Sequence, residues 1–286
     1  MSIWEKLFIG SQYVIPQHAL SQLCGKLADL RTPFLKNWAI NTFIRQYNVN
    51  MQEAEFESAE AYQSFNDFFT RQLKPGVRTF PEDDNIIASP VDGAISQIGQ
   101  IRHQSIIQAK NHHYSLSSLL AKDSQYENHF KNGAFATLYL SPKDYHRIHM
   151  PMNGRLLQMT HVPGRLFSVN PTTANNIPGL FARNERIIAY FETHLGPVAV
   201  IFVGATIVGS IATQWSGVVT PPSASEVSSW QYDSHKLHYE MGQEIGRFLL
   251  GSTVILLFPE NTVSWLELAE GDAIQLGQPI ARIEKY

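Results

Sequence analysis

Along the first fifty positions apolar residues recur at helical spacing. Ile3, Trp4, Leu7 and Phe8 share one face, and Leu20, Leu23, Leu27 and Leu30 follow three and four apart. Pro16 and Pro33 cut this stretch into short helices. Trp38, Ile40, Phe43, Ile44 and Tyr47 continue the pattern, with Lys36 and Arg45 beside them. Such faces either pack on their own domain or lie in a membrane interface, and the pattern weighs the two equally. Without an apolar run of about 18 residues, no spanning helix is expected. A further helix is predicted over SAEAYQSFNDFFTRQL, capped by Ser58, with Phe65, Phe68, Phe69 and Leu73 on its apolar face.

From about Asn85 the character changes to short β-rich runs, FATLYL, RIIAYF, VAVIFVGATIVGSIA and STVILLF, separated by Gly, Pro and Asn turns. The expected fold class is α+β: N-terminal amphipathic helices over residues 1–80, then a mainly antiparallel β domain over residues 81–286. Residues 220–238 are polar, Pro- and Ser-rich, and read as a long surface connection. Neither glycine-rich nucleotide fingerprint occurs, and no internal repeat stands out.

An apolar content of 44% and an aromatic content of 11% in 286 residues suffice for a substantial core. The single cysteine, Cys24, has no internal disulfide partner, which fits a reducing, cytoplasmic setting. The opening MSIWEKLFIGSQYVIP lacks the marks of a secretory signal. Charge is uneven: Lys6, Lys26, Arg31, Lys36 and Arg45 outnumber Glu5 and Asp29 in the first 48 residues, whereas the whole chain carries −3. A basic, aromatic-rich start on an acidic body suits an anionic surface and speaks against nucleic acid.

Four stretches carry candidate chemistry. Gly251-Ser252-Thr253 interrupts the apolar run RFLLGSTVILLF, where a glycine weakens a strand unless close approach or unusual backbone geometry is wanted. LSPKDYHRIHMPMNG holds His146 and His149, bracketed by Pro142 and Pro151 as a turn or loop. A metal pair is conceivable there, but with no third-ligand motif, structural or acid–base histidines are favoured and no metal is expected. Asp92-Gly93 in SPVDGAIS is a hairpin-turn signal. GDAIQLGQPIARI is similar to the hairpins of biotinyl and lipoyl carriers but lacks their lysine.

With FNDFFTRQLKPGVR, SPVDGAIS, QAKNHHYSL, LYLSPKDYHRIHMP, PGRLFSVNP, LFARNERI, FVGATIVGSI, GQEIGRFLLGSTVI and GQPIA on the page, the chain resembles the bacterial phosphatidylserine decarboxylases nearly end to end. One departure is Asn111, where the family pattern leads one to expect Gly after Lys110.

The resemblance implies a proenzyme, its catalytic unit in the β domain. Asp92, His149 and Ser252 match the family's self-processing triad, with His149 the base and Asp92 its orienter. The chain would be cut between Gly251 and Ser252, the two fragments staying associated and Ser252 becoming a pyruvoyl group. That cofactor would form a Schiff base with phosphatidylserine and release carbon dioxide, leaving phosphatidylethanolamine. His146, the family's other loop histidine, would deliver the final proton. The place of action would be the cytoplasmic face of the inner membrane, bound peripherally to anionic lipid, with a homo-oligomer left open. Two rivals stand beside this reading: a serine hydrolase using Asp92, His149 and Ser252, which lacks the usual G-x-S-x-G elbow, and a non-catalytic membrane-associated β module.

Overall fold

A computed structural model describes residues 2–109, 112–206, 210–220, 226–233, 237–249 and 252–284. The expectations for Asn111 and Gly251 therefore lie outside the described residues.

At the N-terminus, Ser2 and Glu5 form a reciprocal capping box that starts α1 (Ile3–Val14). Pro16 separates it from α2 (Gln17–Ala28), and Pro33 opens α3 (Pro33–Tyr47), which ends on Asn48 in the left-handed conformation at φ 53°. These helices are amphipathic in a largely inverted sense, although Ile40, Phe43, Ile44 and Tyr47 of α3 pack inward on a small apolar cluster. The residues they bury are mostly polar: Gln12 in α1, Gln17, Ser21 and Ala28 in α2, Lys36 and Ile40 in α3. Gln12 Oε1 accepts the Ser168 N–H at 3.0 Å, Gln17 Oε1 accepts the Leu166 N–H at 2.9 Å, and His18 Nε2 lies 3.0 Å from the Gly164 carbonyl. Lys36 turns its ammonium inward to the carbonyls of Ala59, Glu60 and Tyr62. Outward stand Trp4 at 77% exposure, Phe34 at 79% and Trp38 at 63%, with Ile3, Leu7, Leu23 and Leu27 also exposed. Among the described residues no helix is long and apolar enough to cross a membrane.

The single helix expected from Ser58 onward is two pieces. Ala59–Ala61 forms a 3-10 turn, and α4 (Phe65–Phe69) starts afresh because Ser64, not Ser58, caps it by accepting the Asp67 N–H at 3.1 Å. Its aromatic residues close a small cluster of Ile40, Val49, Ala59, Tyr62, Phe68 and Phe69, with the Phe43 ring 5.9 Å from both Phe68 and Phe69.

The larger core belongs to a nine-stranded antiparallel sheet. Its order runs Ser228–Gln231, Gly154–Val162, Arg186–Thr193, Gly196–Val203, Ser252–Phe258, Ala134–Leu140, Gly93–Gln100 and Ala273–Ile274, and His238–Tyr239 also pairs with Gly154–Val162. All seven residues of Ser252–Phe258 are buried, which is why STVILLF reads as a continuous apolar run instead of an alternation. Ile255 faces Thr137 on one side and Ile201 on the other. A second sheet sets Arg147–His149 against Glu244–Phe248, and a third joins Ile86–Ala88, Pro279–Ile283 and Val263–Trp265.

Three sequence expectations change here. Asp92-Gly93 makes no hairpin, because Ile86–Ala88 and Gly93–Gln100 belong to different sheets. The carrier-like segment is likewise split: Ala273–Ile274 pairs with the start of Gly93–Gln100, and Pro279–Ile283 with Ile86–Ala88. In each case cross-sheet pairing overrides the local turn signal. Within 220–238, Ser228–Gln231 and the strand beginning at His238 are paired with Gly154–Val162, so that stretch is only partly a connection.

The Gln12 and Gln17 contacts generate a test. Removing either amide leaves a buried backbone N–H unpaired, at about 1–3 kcal/mol. In the Gln12→Ala, Gln17→Ala double variant the Leu166 and Ser168 amides should exchange hydrogen at least roughly tenfold faster. Amides of the central Ser252–Phe258 strand should keep their protection, as read by hydrogen-exchange mass spectrometry.

Candidate active site

Ser252 heads the central strand of the main sheet, opposite Leu140, and is 1% exposed. Its Oγ is buried and makes no hydrogen bond among the described residues. A buried hydroxyl without a partner is destabilising by about 1–3 kcal/mol, an arrangement that proteins keep chiefly where chemistry needs it. At the neighbouring edge a Cβ on Gly93 would lie 2.2 Å from the Tyr139 carbonyl oxygen, so glycine permits the close approach of the strands beside Asp92.

His146 and His149 flank the short strand Arg147–His149, and the alternation of a strand turns them apart. His146 is 0% exposed, with its ring 4.1 Å from Phe69. Its Nδ1 sits 2.8 Å from the Asp144 carbonyl, which can only accept, so Nδ1 carries the hydrogen and Nε2 is left a buried, unpartnered lone pair. Burial and the nearby Arg71 cation hold the imidazole neutral, its pKa pushed down to about 3.

His149 is oriented the same way by a different group. Its Nδ1–H donates to the Gly242 carbonyl at 2.7 Å, and its Nε2 accepts the Tyr145 hydroxyl at 3.1 Å. Gly242 reaches that position at φ 85°, where a Cβ would also press to 2.9 Å on the Phe80 ring. Burial lowers the His149 pKa, while the carboxylates of Glu244 and Asp92 oppose the shift.

Asp92 does not hydrogen-bond His149. It accepts Arg78 Nε at 3.0 Å and Nη2 at 2.6 Å, a two-point grip, and also the Leu276 N–H at 2.7 Å. Arg78 Nη2 bonds Glu53 at 2.8 Å as well, and these hydrogen bonds, Asp92 foremost, raise the guanidinium pKa. The expected orienter thus makes no hydrogen bond to His149 among the described residues, and the backbone of Gly242 fixes the tautomer. Arg78, Tyr145 and Leu276 lie with His149 along one cleft of about 330 Å³. Arg78 and Tyr145 also line a neighbouring cavity of about 460 Å³ that takes in Asp92. Sequence reading missed Arg78, Tyr145 and Gly242, although all three stand inside segments that carried the resemblance, KPGVR, DYHR and GQEIG. Among the described residues no hydrogen bond joins Ser252, His149 and Asp92.

Comparison with known proteins places this geometry in a family. The phosphatidylserine decarboxylase family model matches residues 65–282, and a second, described as PSD, matches residues 7–48. The phosphatidylserine decarboxylase proenzyme of Shewanella pealeana is 52% identical over 98% of this chain and 99% of its own length. The proenzyme of the same name from Hahella chejuensis is 52% identical over 99% of this chain and 96% of its own. That of Shewanella baltica is 51% identical, with 98% of each chain covered.

The neutral state of His146 sets a pH dependence. The unfolded chain takes up a proton near the ordinary 6.5, whereas the folded chain resists down to about 3. Stability is therefore complete above 6.5 and lost as pH falls through that window. At about pH 5 the loss from this residue is about 2 kcal/mol. His146→Gln, which keeps a donor for the Asp144 carbonyl but cannot titrate, should show a flatter urea midpoint between about pH 7 and pH 5. Parallel curves for the two proteins would contradict a neutral buried ring.

Proposed function

The chain belongs to the phosphatidylserine decarboxylase family and is a carboxy-lyase made as a proenzyme, and we propose that Ser252 is both its internal nucleophile and the source of its catalytic carbonyl. The observation that carries this reading is the buried Ser252 Oγ, without a partner among the described residues, at the head of the central strand and next in sequence to Gly251.

In the proposed maturation His149 takes the Ser252 proton, for which its Nε2 must give up the Tyr145 hydroxyl. Ser252 Oγ then attacks the Gly251 carbonyl, and the Gly251–Ser252 amide becomes an ester as nitrogen leaves. β-Elimination at residue 252 frees the Gly251 carboxylate, and water converts the dehydroalanine into a pyruvoyl group and ammonia. Asp92, clamped by Arg78, supplies the negative charge that steadies the His149 imidazolium while the proton is held. The fragments 1–251 and 252–286 remain together in this reading, because Ser252–Phe258 is paired on both edges with strands of the longer piece.

Held at residue 252, a pyruvoyl group would supply an electrophilic carbonyl for the amine of phosphatidylserine and an electron sink for the loss of carbon dioxide. His146 then has two tasks at one atom. Its Nε2 carries no hydrogen, so it cannot begin as an acid. When the anionic headgroup offsets the Arg71 cation that helps hold the ring neutral, the basicity of Nε2 rises, and it takes the substrate ammonium proton and returns it to the former α-carbon. The inverted helices α1 to α3 bring the protein to an anionic bilayer, their exposed aromatic and aliphatic residues entering the interface at the cytoplasmic face of the membrane.

Two experiments test this reading. Ser252→Ala should accumulate as one uncut chain without a hydrazine-reactive carbonyl, and His149→Ala and Asp92→Asn should stay uncut. His146→Ala should be cut but lose a factor of roughly 10²–10⁴ in carbon dioxide release. An uncut wild-type chain with full decarboxylase activity would overturn the maturation scheme. For the membrane face, Phe34→Ser with Trp38→Ser should weaken co-sedimentation with phosphatidylserine vesicles by roughly tenfold or more, because each side chain loses its transfer out of water. Unchanged sedimentation would place the anchor elsewhere.

A further inference from the structure

Arg71 follows α4 and is 4% exposed, yet among the described residues no carboxylate lies within ion-pair distance of its guanidinium. Nη2 donates to the carbonyls of Lys143 at 2.9 Å and Asp144 at 3.4 Å, and the Phe68 ring lies 5.6 Å from the guanidinium carbon. Nε and Nη1 are buried and have no partner among the described residues. The nearby acids are already committed: Asp144 accepts the N–H and hydroxyl of Ser141 at 2.7 and 2.8 Å, and Asp92 is held by Arg78. A buried cation with two idle donors and no counter-ion is costly to fold, and protein structures keep one mainly where an anion is to arrive.

Arg71 lines the 460 Å³ cavity together with Tyr139, Ser141, Lys143 and Asp144. Ser252 pairs opposite Leu140, between the cavity residues Tyr139 and Ser141. The Asp144 carbonyl that receives Arg71 also receives His146 Nδ1, so one peptide group positions both side chains. Asn48 and Asn50, on the cavity wall, follow directly on α3, whose outer face carries Phe34 and Trp38. The cavity therefore borders the strand Ala134–Leu140 that pairs with Ser252–Phe258, and the end of the helix that carries Phe34 and Trp38.

We propose that Arg71 is an oxyanion-binding residue that takes the phosphodiester of the substrate headgroup, with exposed Lys143 at the rim of the same cavity. The assignment rests on the reading of Ser252 and His146 as the reacting centre. The headgroup offers two anions, and the chemistry selects between them. The carboxylate leaves as neutral carbon dioxide, so a guanidinium bound to it would hold the ground state and lose its grip in the transition state. The phosphodiester keeps its charge throughout, and a planar two-donor fork fits its oxygens. Binding there fixes the amine near residue 252 without opposing the bond that breaks.

The test uses the full-length Ser252→Ala protein, which keeps the chain continuous and reads binding without turnover. Calorimetric titrations with sn-glycero-3-phosphoserine, sn-glycero-3-phosphoethanolamine, inorganic phosphate and L-serine should show binding by both glycerophosphodiesters and at least roughly tenfold weaker binding by L-serine. Adding Arg71→Gln should weaken glycerophosphodiester binding roughly 10- to 100-fold, and Arg71→Lys should recover only part of it. L-serine binding as tightly as glycerophosphoserine would overturn the assignment in favour of the carboxylate. Inorganic phosphate binding while both glycerophosphodiesters fail would make this a free-phosphate site, and no binding by any phosphate probe would remove the site altogether. The selectivity of the Ser252→Ala protein among the four probes decides the matter even if neither Arg71 variant folds. In the otherwise wild-type chain Arg71→Lys should still be cut and should raise KM for dispersed short-chain phosphatidylserine more than it lowers kcat. An uncut or carbonyl-free wild-type protein would instead indict the reading of Ser252 on which the assignment rests.

Discussion

Seven consecutive buried residues, Ser252–Phe258, are hydrogen-bonded on one edge to Ala134–Leu140 and on the other to Gly196–Val203. A strand in that position cannot shift register by one residue without turning its whole apolar set over, so the main-sheet core fixes where its first residue lies. That first residue is Ser252. The same pairing presents Tyr139 and Ser141 on either side of Leu140 and so sets one wall of the cavity. It also ties the segment after residue 251 into the body independently of the Gly251–Ser252 bond. In the proposed maturation the reacting junction thus lies at the end of a strand held on both edges.

Around that strand the buried polar groups fall into two kinds. Asp92, Arg78 and Glu53 satisfy one another, and a fully partnered network in low dielectric is stiff. Among the described residues Ser252 Oγ, His146 Nε2 and two nitrogens of Arg71 are buried and unpartnered, as are Thr253 Oγ1 and Thr137 Oγ1. Satisfied groups hold geometry, and each unsatisfied one calls for a physical account. The division also explains how two histidines three residues apart can differ. Each has its Nδ1–H fixed by a backbone carbonyl, but Tyr145 caps the free nitrogen of His149 whereas nothing caps that of His146.

Much of this was legible in the chain. The helix breaks at Pro16 and Pro33, the change to β structure near Asn85 and the uninterrupted STVILLF run all follow from local rules, and the structure agrees with each. What failed were signals whose partners lie far away. Asp92-Gly93 has the composition of a tight turn, yet each flank finds its neighbour nearly two hundred positions on, in Pro279–Ile283 and Ala273–Ile274. Arg78 could not be tied to Asp92 from spacing alone, since a guanidinium in a polar stretch looks the same whether it is solvated or clamped. The Gly242 carbonyl was invisible for a deeper reason: backbone groups have no letter, and a main-chain acceptor that sets a tautomer is found only in three dimensions.

The N-terminal helices show how burial can invert the usual logic of an amphipathic segment. Hydrophobic spacing in α1 to α3 was equally compatible with packing inward or facing outward, and the deciding information lay in the polar positions. Gln12 and Gln17 bond backbone N–H groups of the Gly164–Ser168 stretch, and Lys36 satisfies three carbonyls around the 3-10 turn. Once these residues are committed inward, the 3.6-residue period leaves Trp4, Leu7, Phe34 and Trp38 no inward position. In water that surface is a liability, and only an apolar medium turns it into a favourable term. The polar attachment also limits how the helices can respond to such a medium. Hydrogen bonds to backbone are directional and fix angle as well as distance, whereas apolar packing would allow the helices to roll. In the proposed membrane contact, a surface held by directional bonds would keep its presentation, so the cavity beside Asn48 and Asn50 would stay at a constant distance from whatever α3 lies against.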